Sequence, residues 1–89
     1  MLQETITIVN KLGLHARAAA KLVKLASTFS SEIHLKRKQR EVNGKSIMGV
    51  MLLAAGKGTE VELSVSGDDE EQAFQKVAEL IKSGFGEDE

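Results

Sequence analysis

The chain contains no cysteine. Disulfides, thiolate zinc sites and thiol nucleophiles are thereby excluded together, and a reducing cytosol is compatible with the sequence. Aromatic residues are nearly as scarce. Phe29, Phe74 and Phe85 are the only ones, too few to build stacking platforms for single-stranded nucleic acid. Neither sign of charge prevails: 12 Lys and Arg face 13 Asp and Glu for a net charge of −1, which gives no global attraction to a phosphate backbone. Long apolar runs are missing too. The longest, Val50 to Ala55, falls far short of the roughly 20 residues of a membrane-spanning helix. The first residues, interrupted by Glu4 and alternating threonines, lack the basic and apolar regions of a secretory leader. These absences predict a cytoplasmic protein without membrane insertion or a nucleic-acid partner. No metal or cofactor is expected either, because His15 and His34, the two histidines, fall on different elements without ligand spacing.

What is present is ordinary for a globular protein: 42% apolar and 28% charged residues in 89. That length suits one domain over residues 1–89 with a single core, burying roughly 60–65% of the unfolded surface. There are no repeats, linkers or low-complexity segments.

From Leu2 to Val9 the pattern alternates, with Ile6 and Ile8 available to a core and Thr5 and Thr7 to water, as a half-buried strand requires. Asn10 to Leu14 is a short loop around Gly13. Ala16 to Ser27 is helical, with Ala19, Leu22, Val23 and Ala26 on a core stripe and Arg17, Lys21 and Lys24 on a basic one. The basic stripe either guides acidic partners or is simply solvated. Glu32–Lys38 and Arg40–Val42 form a hairpin whose Lys36, Arg37, Lys38 and Arg40 suit a solvated tip better than a nucleic-acid patch, since no aromatic interleaves them.

Ser46 to Leu53 is a short helix with Ser46 as its N-cap. Its apolar residues point nearly every way. If Val50 and Leu53 face inward, then Ile47, Met48, Met51 and Leu52 form an exposed patch of the kind that docks several partners; the alternative is a helix that is wholly core. Gly56-Lys57-Gly58 breaks it, and Glu60 to Val65 alternates cleanly as the last strand. Asp68 and Glu71 form a box-like start to a last helix with Phe74, Val77, Ala78 and Ile81 on its apolar face, ended by Gly84, and Glu87-Asp88-Glu89 is expected to fray. The element order β-α-β-β-α-β-α with one-sided strands predicts an α+β fold: an open-faced sandwich of a four-stranded antiparallel sheet with three helices on one face.

His15 stands where the glycine loop turns into the first helix. A lone histidine there also fits a simple cap or a surface residue. Arg17 and the loop argue for chemistry, because a helix start binds anions, disfavours imidazolium and leaves a neutral, nucleophilic imidazole. Other chemistries fit less well. No nucleophile elbow is present, and Gly44-Lys45-Ser46 imitates a nucleotide loop whose leading glycine is replaced by Gln39.

Gly13-Leu14-His15-Ala16-Arg17 followed by Ala19-Ala20, with Gly44-Lys45-Ser46-Ile47-Met48-Gly49-Val50-Met51 about thirty residues on, resembles the HPr family of phosphocarrier proteins of the phosphotransferase system. The resemblance covers nearly the whole chain and implies the same open-faced sandwich. It further implies that His15 takes phosphate on Nδ1 from enzyme I and passes it to an enzyme IIA-type acceptor as a non-enzymatic carrier, with Arg17 stabilising the phosphate; a monomer is the default expectation. Ser46 matches a regulatory serine phosphorylated by HPr kinase/phosphorylase, and Ile47, Met48 and Met51, with Ala20 and Lys24, match a docking surface. Many members have proline where this chain has Ala18; alanine serves the helix with a less rigid start. Ala18 and the ending from Lys82 to Glu89 are similar to the nitrogen-related form, NPr, whereas the Ser46 segment resembles sugar-branch HPr. The alternative function is a regulatory binding module of the nitrogen-related branch, switched by phosphorylation.

Overall fold

Alternating strands with one apolar face pair only in the register that keeps that face covered, because a slip of one residue turns every side chain over. In the computed structural model, which describes residues 1–87, strands β1 (Leu2–Thr7), β2 (Glu32–Arg37), β3 (Arg40–Asn43) and β4 (Glu60–Ser66) form one antiparallel sheet in the order β1-β4-β2-β3. Ile6 lies opposite Val61, Ile33 opposite Val65 and Leu35 opposite Leu63. All six are buried. At about 1.5–3 kcal/mol for each buried aliphatic side chain, this face alone settles the register. Thr5, Thr7 and Lys36 on the other face are exposed.

Helices α1 (Ala16–Ala26), α2 (Ile47–Leu52) and α3 (Glu70–Lys82) complete the predicted open-faced α+β sandwich. α1 buries Ala18, Ala19, Leu22 and Ala26, small residues that let it pack closely against α2 and α3. α3 buries Ala73, Val77, Ala78 and Ile81 across β1 and β4, and its Lys82 pairs at 2.8 Å with Glu4 of the edge strand β1. No helix among the described residues is long and apolar enough to cross a membrane.

The structure departs from the sequence expectations in three places. β1 stops at Thr7, and Ile8, though buried, bonds the turn before β4 through Ile8 N–H to Thr59 O and Gly58 N–H to Ile8 O. The start of α3 falls one residue later than the Asp68–Glu71 pattern suggests. Its N-cap is Asp69, whose carboxylate turns away from the helix to accept hydrogen bonds from the Ser30 and Ser31 amides, both at 3.0 Å, and from the Ser31 hydroxyl. A long-range contact thus outbids the local cap.

The third departure is the tail. After α3, Gly84 (φ 72) and Phe85 (φ 61) take left-handed conformations in a tight turn over Gly84–Gly86, and Phe85 is buried in the core. An apolar residue just past a helix-ending glycine commonly folds back in this way. Glu87, expected to fray, is instead held against the body of the protein, while Asp88 and Glu89 lie outside the described residues.

Hydrogen bonds from the Ser31 hydroxyl and the Ser30 amide hold the Asp69 carboxyl below its ordinary value, against a smaller upward push from desolvation. A carboxyl lowered in the folded state stabilises the fold fully above its unfolded pKa of about 3.9, and the benefit is lost as pH falls through the folded value. The thermal midpoint is therefore expected to drop on acidification below about pH 4. Asp69→Asn should lower the midpoint at neutral pH and weaken that acid dependence; an identical acid profile would assign it to other carboxyls.

Candidate functional site

The loop before α1 is built on a close backbone approach. Gly13 has φ +66, and a Cβ on it would lie 2.4 Å from Ala55 O and 2.7 Å from Gly56 Cα. Neither is a flexible side-chain end, so only glycine fits. The loop closes through Gly13 N–H to Asn10 O at 3.1 Å and is pinned by Leu14 N–H to Ala55 O at 2.9 Å. His15 follows as the N-cap of α1, in an extended conformation with its carbonyl accepting from Ala19 N–H at 2.8 Å. Its side chain makes no cap hydrogen bond, and no acidic residue occupies the first turn. The amides of Ala16, Arg17 and Ala18 thus lack intrahelical acceptors, and with the helix dipole they favour an anion.

Lys11, Leu12, His15, Ala16, Arg17, Lys21, Gly86 and Glu87 line a shallow depression of ≈ 860 Å³. Glu87 reaches into it from the tail. One carboxylate oxygen lies 2.5 Å from His15 Nε2, and the other accepts from Asn10 Nδ2 at 3.0 Å. The Asn10 hydrogen bond, partly opposed by desolvation and aided by His15 and the charge of Lys21, holds the Glu87 carboxyl below its ordinary value. Asn10 is itself buried and also donates to Gly13 O at 2.8 Å. Lys21 donates to Phe85 O at 2.9 Å, so one member of the basic stripe ties down the tail. Arg17 is exposed and bonds no other described residue, and its planar fork has the geometry to take an incoming anion.

Ser46 caps α2 as expected, its hydroxyl accepting from Gly49 N–H at 3.1 Å. It does not line the His15 depression. Within α2 only Val50 is buried, and Leu53 follows it inward; Ile47 (43%), Met48 (75%), Met51 (42%) and Leu52 (58%) are exposed. This is the exposed patch, not the wholly buried helix. Ala20 and Lys24 are exposed on α1, which packs beside α2. The hairpin is more than a solvated tip. Arg37 donates to Leu53 O and Arg40 to Leu52 O, both at 2.9 Å, so the two arginines close the C-terminal end of α2.

Sequence reasoning missed Leu12, which is 67% exposed beside His15, and Glu87 with its support Asn10. Leu12 follows no periodic pattern, and the place of Glu87 depends on the fold-back of Phe85. His34, the other histidine, lies between Glu32 at 3.3 Å and Glu41 at 3.6 Å. Among the described residues no group of three or more potential ligands is gathered as a metal site.

An antiparallel sheet covered on one face by three helices thus carries a histidine and an arginine at the open start of the first, an arrangement suited to binding an anion. Comparison with known proteins identifies the class as that of the phosphocarrier proteins. Residues 2–83 match the family model described as "PTS HPr component phosphorylation site". The phosphocarrier protein HPr of Xylella fastidiosa (strain Temecula1) is 54% identical over 88 residues, covering 99% of each chain. The crystal structure of HPr-C-His from Thermoanaerobacter tengcongensis superposes with a TM-score of 0.95 at 50% identity over 100% of both chains. A crystal structure of an HPr dimer from the same organism gives 0.78 at 52% identity, covering 98% of this chain and 100% of that one. The chain belongs to the HPr family of phosphocarrier proteins of the phosphotransferase system.

Gly13→Ala is expected to destabilise the protein by roughly 2–3 kcal/mol, combining a left-handed conformation with a backbone clash. Denaturant titration measures the loss. Chemical-shift changes should reach both the start of α1 and the Ala55–Gly56 segment, and a variant as stable as the parent would show that the approach is not tight.

Proposed function

We propose that the 89 residues act as one monomeric, cytoplasmic phosphocarrier domain that accepts a phosphoryl group on His15 from enzyme I and hands it to an enzyme IIA-type acceptor. The observation that carries this is the join between loop and helix: a partly exposed imidazole preceding three amides without intrahelical acceptors, with the Arg17 guanidinium lining the same depression. Neutral imidazole is a competent nucleophile, and these donors suit the phosphate it would carry. The chain forms a transient phosphohistidine and turns over no substrate of its own.

The α2 patch of Ile47, Met48 and Met51, with Ala20 and Lys24, would serve as the docking surface, its methionines adapting to more than one partner. Ser46 is the proposed regulatory site for a kinase of the HPr kinase/phosphorylase type. Its hydroxyl already engages the first turn of α2, so a phosphate there would place about two negative charges beside Ile47 and Met48 and oppose apolar docking. The nitrogen-related or sugar branch would follow from which acceptors carry matching surfaces.

Incubation with enzyme I and phosphoenolpyruvate should add about 80 Da, the mass of one HPO₃ group, in an acid-labile and base-stable form. His15→Ala should abolish it; retained label would overturn the assignment. Ser46→Asp should weaken enzyme I binding by roughly tenfold through charge at the docking surface. Ser46→Ala should keep that affinity while losing about 1 kcal/mol of stability from the missing cap. Equal affinities for the two variants in titration calorimetry would remove the switch.

A further inference from the structure

The shortest polar contact at the proposed acceptor is one that phosphate binding does not account for. His15 Nε2 and a Glu87 carboxylate oxygen are 2.5 Å apart, with the two side chains 26% and 14% exposed. The carboxylate is positioned from two directions. Its second oxygen is held by Asn10, a buried amide that also ties the Gly13 loop. Its backbone follows a turn fixed by the buried Phe85, by Lys21 on Phe85 O, and by Glu87 N–H to Gly84 O at 3.2 Å. An ionised carboxylate only accepts hydrogen bonds. The nitrogen facing it in a neutral imidazole must therefore carry the hydrogen, which leaves the lone pair on Nδ1.

We propose that Glu87 is a positioning residue for phosphoryl transfer: it holds the proton on His15 Nε2, which makes Nδ1 the reacting nitrogen, and it balances the charge the ring gains when Nδ1 bonds phosphorus. The inference rests on the carrier function proposed above. In the accepting step the Nδ1 lone pair attacks phosphorus. The new N–P bond forms as the bond from phosphorus to the donor breaks, its electron pair leaving with the donor. The ring, now bearing phosphorus on Nδ1 and hydrogen on Nε2, is an imidazolium set against the carboxylate. In the donating step the N–P pair returns to Nδ1 and the ring leaves as neutral imidazole, its Nε2 proton never released. No further reactant is required. Lys11, Arg17 and Lys21 line the same depression and offset the negative charge that Glu87 and a phosphate bring together.

The test pairs two variants with two readouts. Long-range ¹⁵N–¹H correlation of the unphosphorylated protein is expected to show the Nε2–H tautomer of His15 in the parent and in Glu87→Gln, whose carbonyl still accepts, and a mixture in Glu87→Ala. Single-turnover transfer from phosphorylated enzyme I should slow by roughly tenfold in both variants, since neither supplies the charge of a hydrogen-bonded carboxylate. An Nδ1–H tautomer in the parent, or a Glu87→Ala variant with unchanged tautomer and rate, overturns the role of Glu87 while leaving the carrier function in place. A parent protein that takes no label at His15 overturns the carrier function itself.

Discussion

The approach of the Gly13 backbone to Ala55 and Gly56 is the constraint on which the rest of the structure hangs. It joins the loop before α1 to the segment after α2, two pieces of chain about forty residues apart, through a contact that admits no side chain. The start of the first helix and the end of the second are thereby set relative to one another by backbone atoms. His15 stands on one side of the seam and the apolar patch of α2 on the other. A side-chain contact could relax by changing rotamer, but this one has no such freedom, so the imidazole and the patch keep a fixed separation.

The patch needs support that α2 cannot provide itself. It is a single short helix with one buried residue and no basic side chain in its last turn, so its final carbonyls lack both water-excluding cover and a compensating charge. Arg37 and Arg40 supply both from the neighbouring hairpin. This accounts for the two arginines of the hairpin's basic cluster. It also shows how so apolar a helix stays formed with most of its large side chains in solvent.

The strands were legible because period-two alternation is a local signal and the sheet obeys it, Ile6 and Leu63 inward, Thr5 and Thr7 outward. The place of His15 and Arg17 at the start of α1 and of Ser46 as the cap of α2 was legible because loop-to-helix junctions carry their own local signals. What was missed has a common cause. Asp69 prefers Ser30 and Ser31 to its own helix, Arg37 and Arg40 reach carbonyls on another element, and Glu87 meets His15 across nearly the whole chain. Each is a polar contact between segments distant in sequence, and no periodicity announces it. Phe85 is the intermediate case, since an apolar residue between two glycines after a helix does carry a signal for burial, and following it would have placed Glu87 near the loop.

The polar side of the sheet takes part in none of this. Thr5, Thr7 and Lys36 stand in solvent on the face turned away from the helices, and their backbones are held by strand pairing whatever side chain they carry. A fluorophore, spin label or surface tether attached there would leave the histidine and the α2 patch unobstructed. With no cysteine anywhere in the sequence, one introduced at Thr5 or Thr7 would be the sole thiol to react. The architecture thus presents the chemist with a handle on the face of the sheet turned away from the helices.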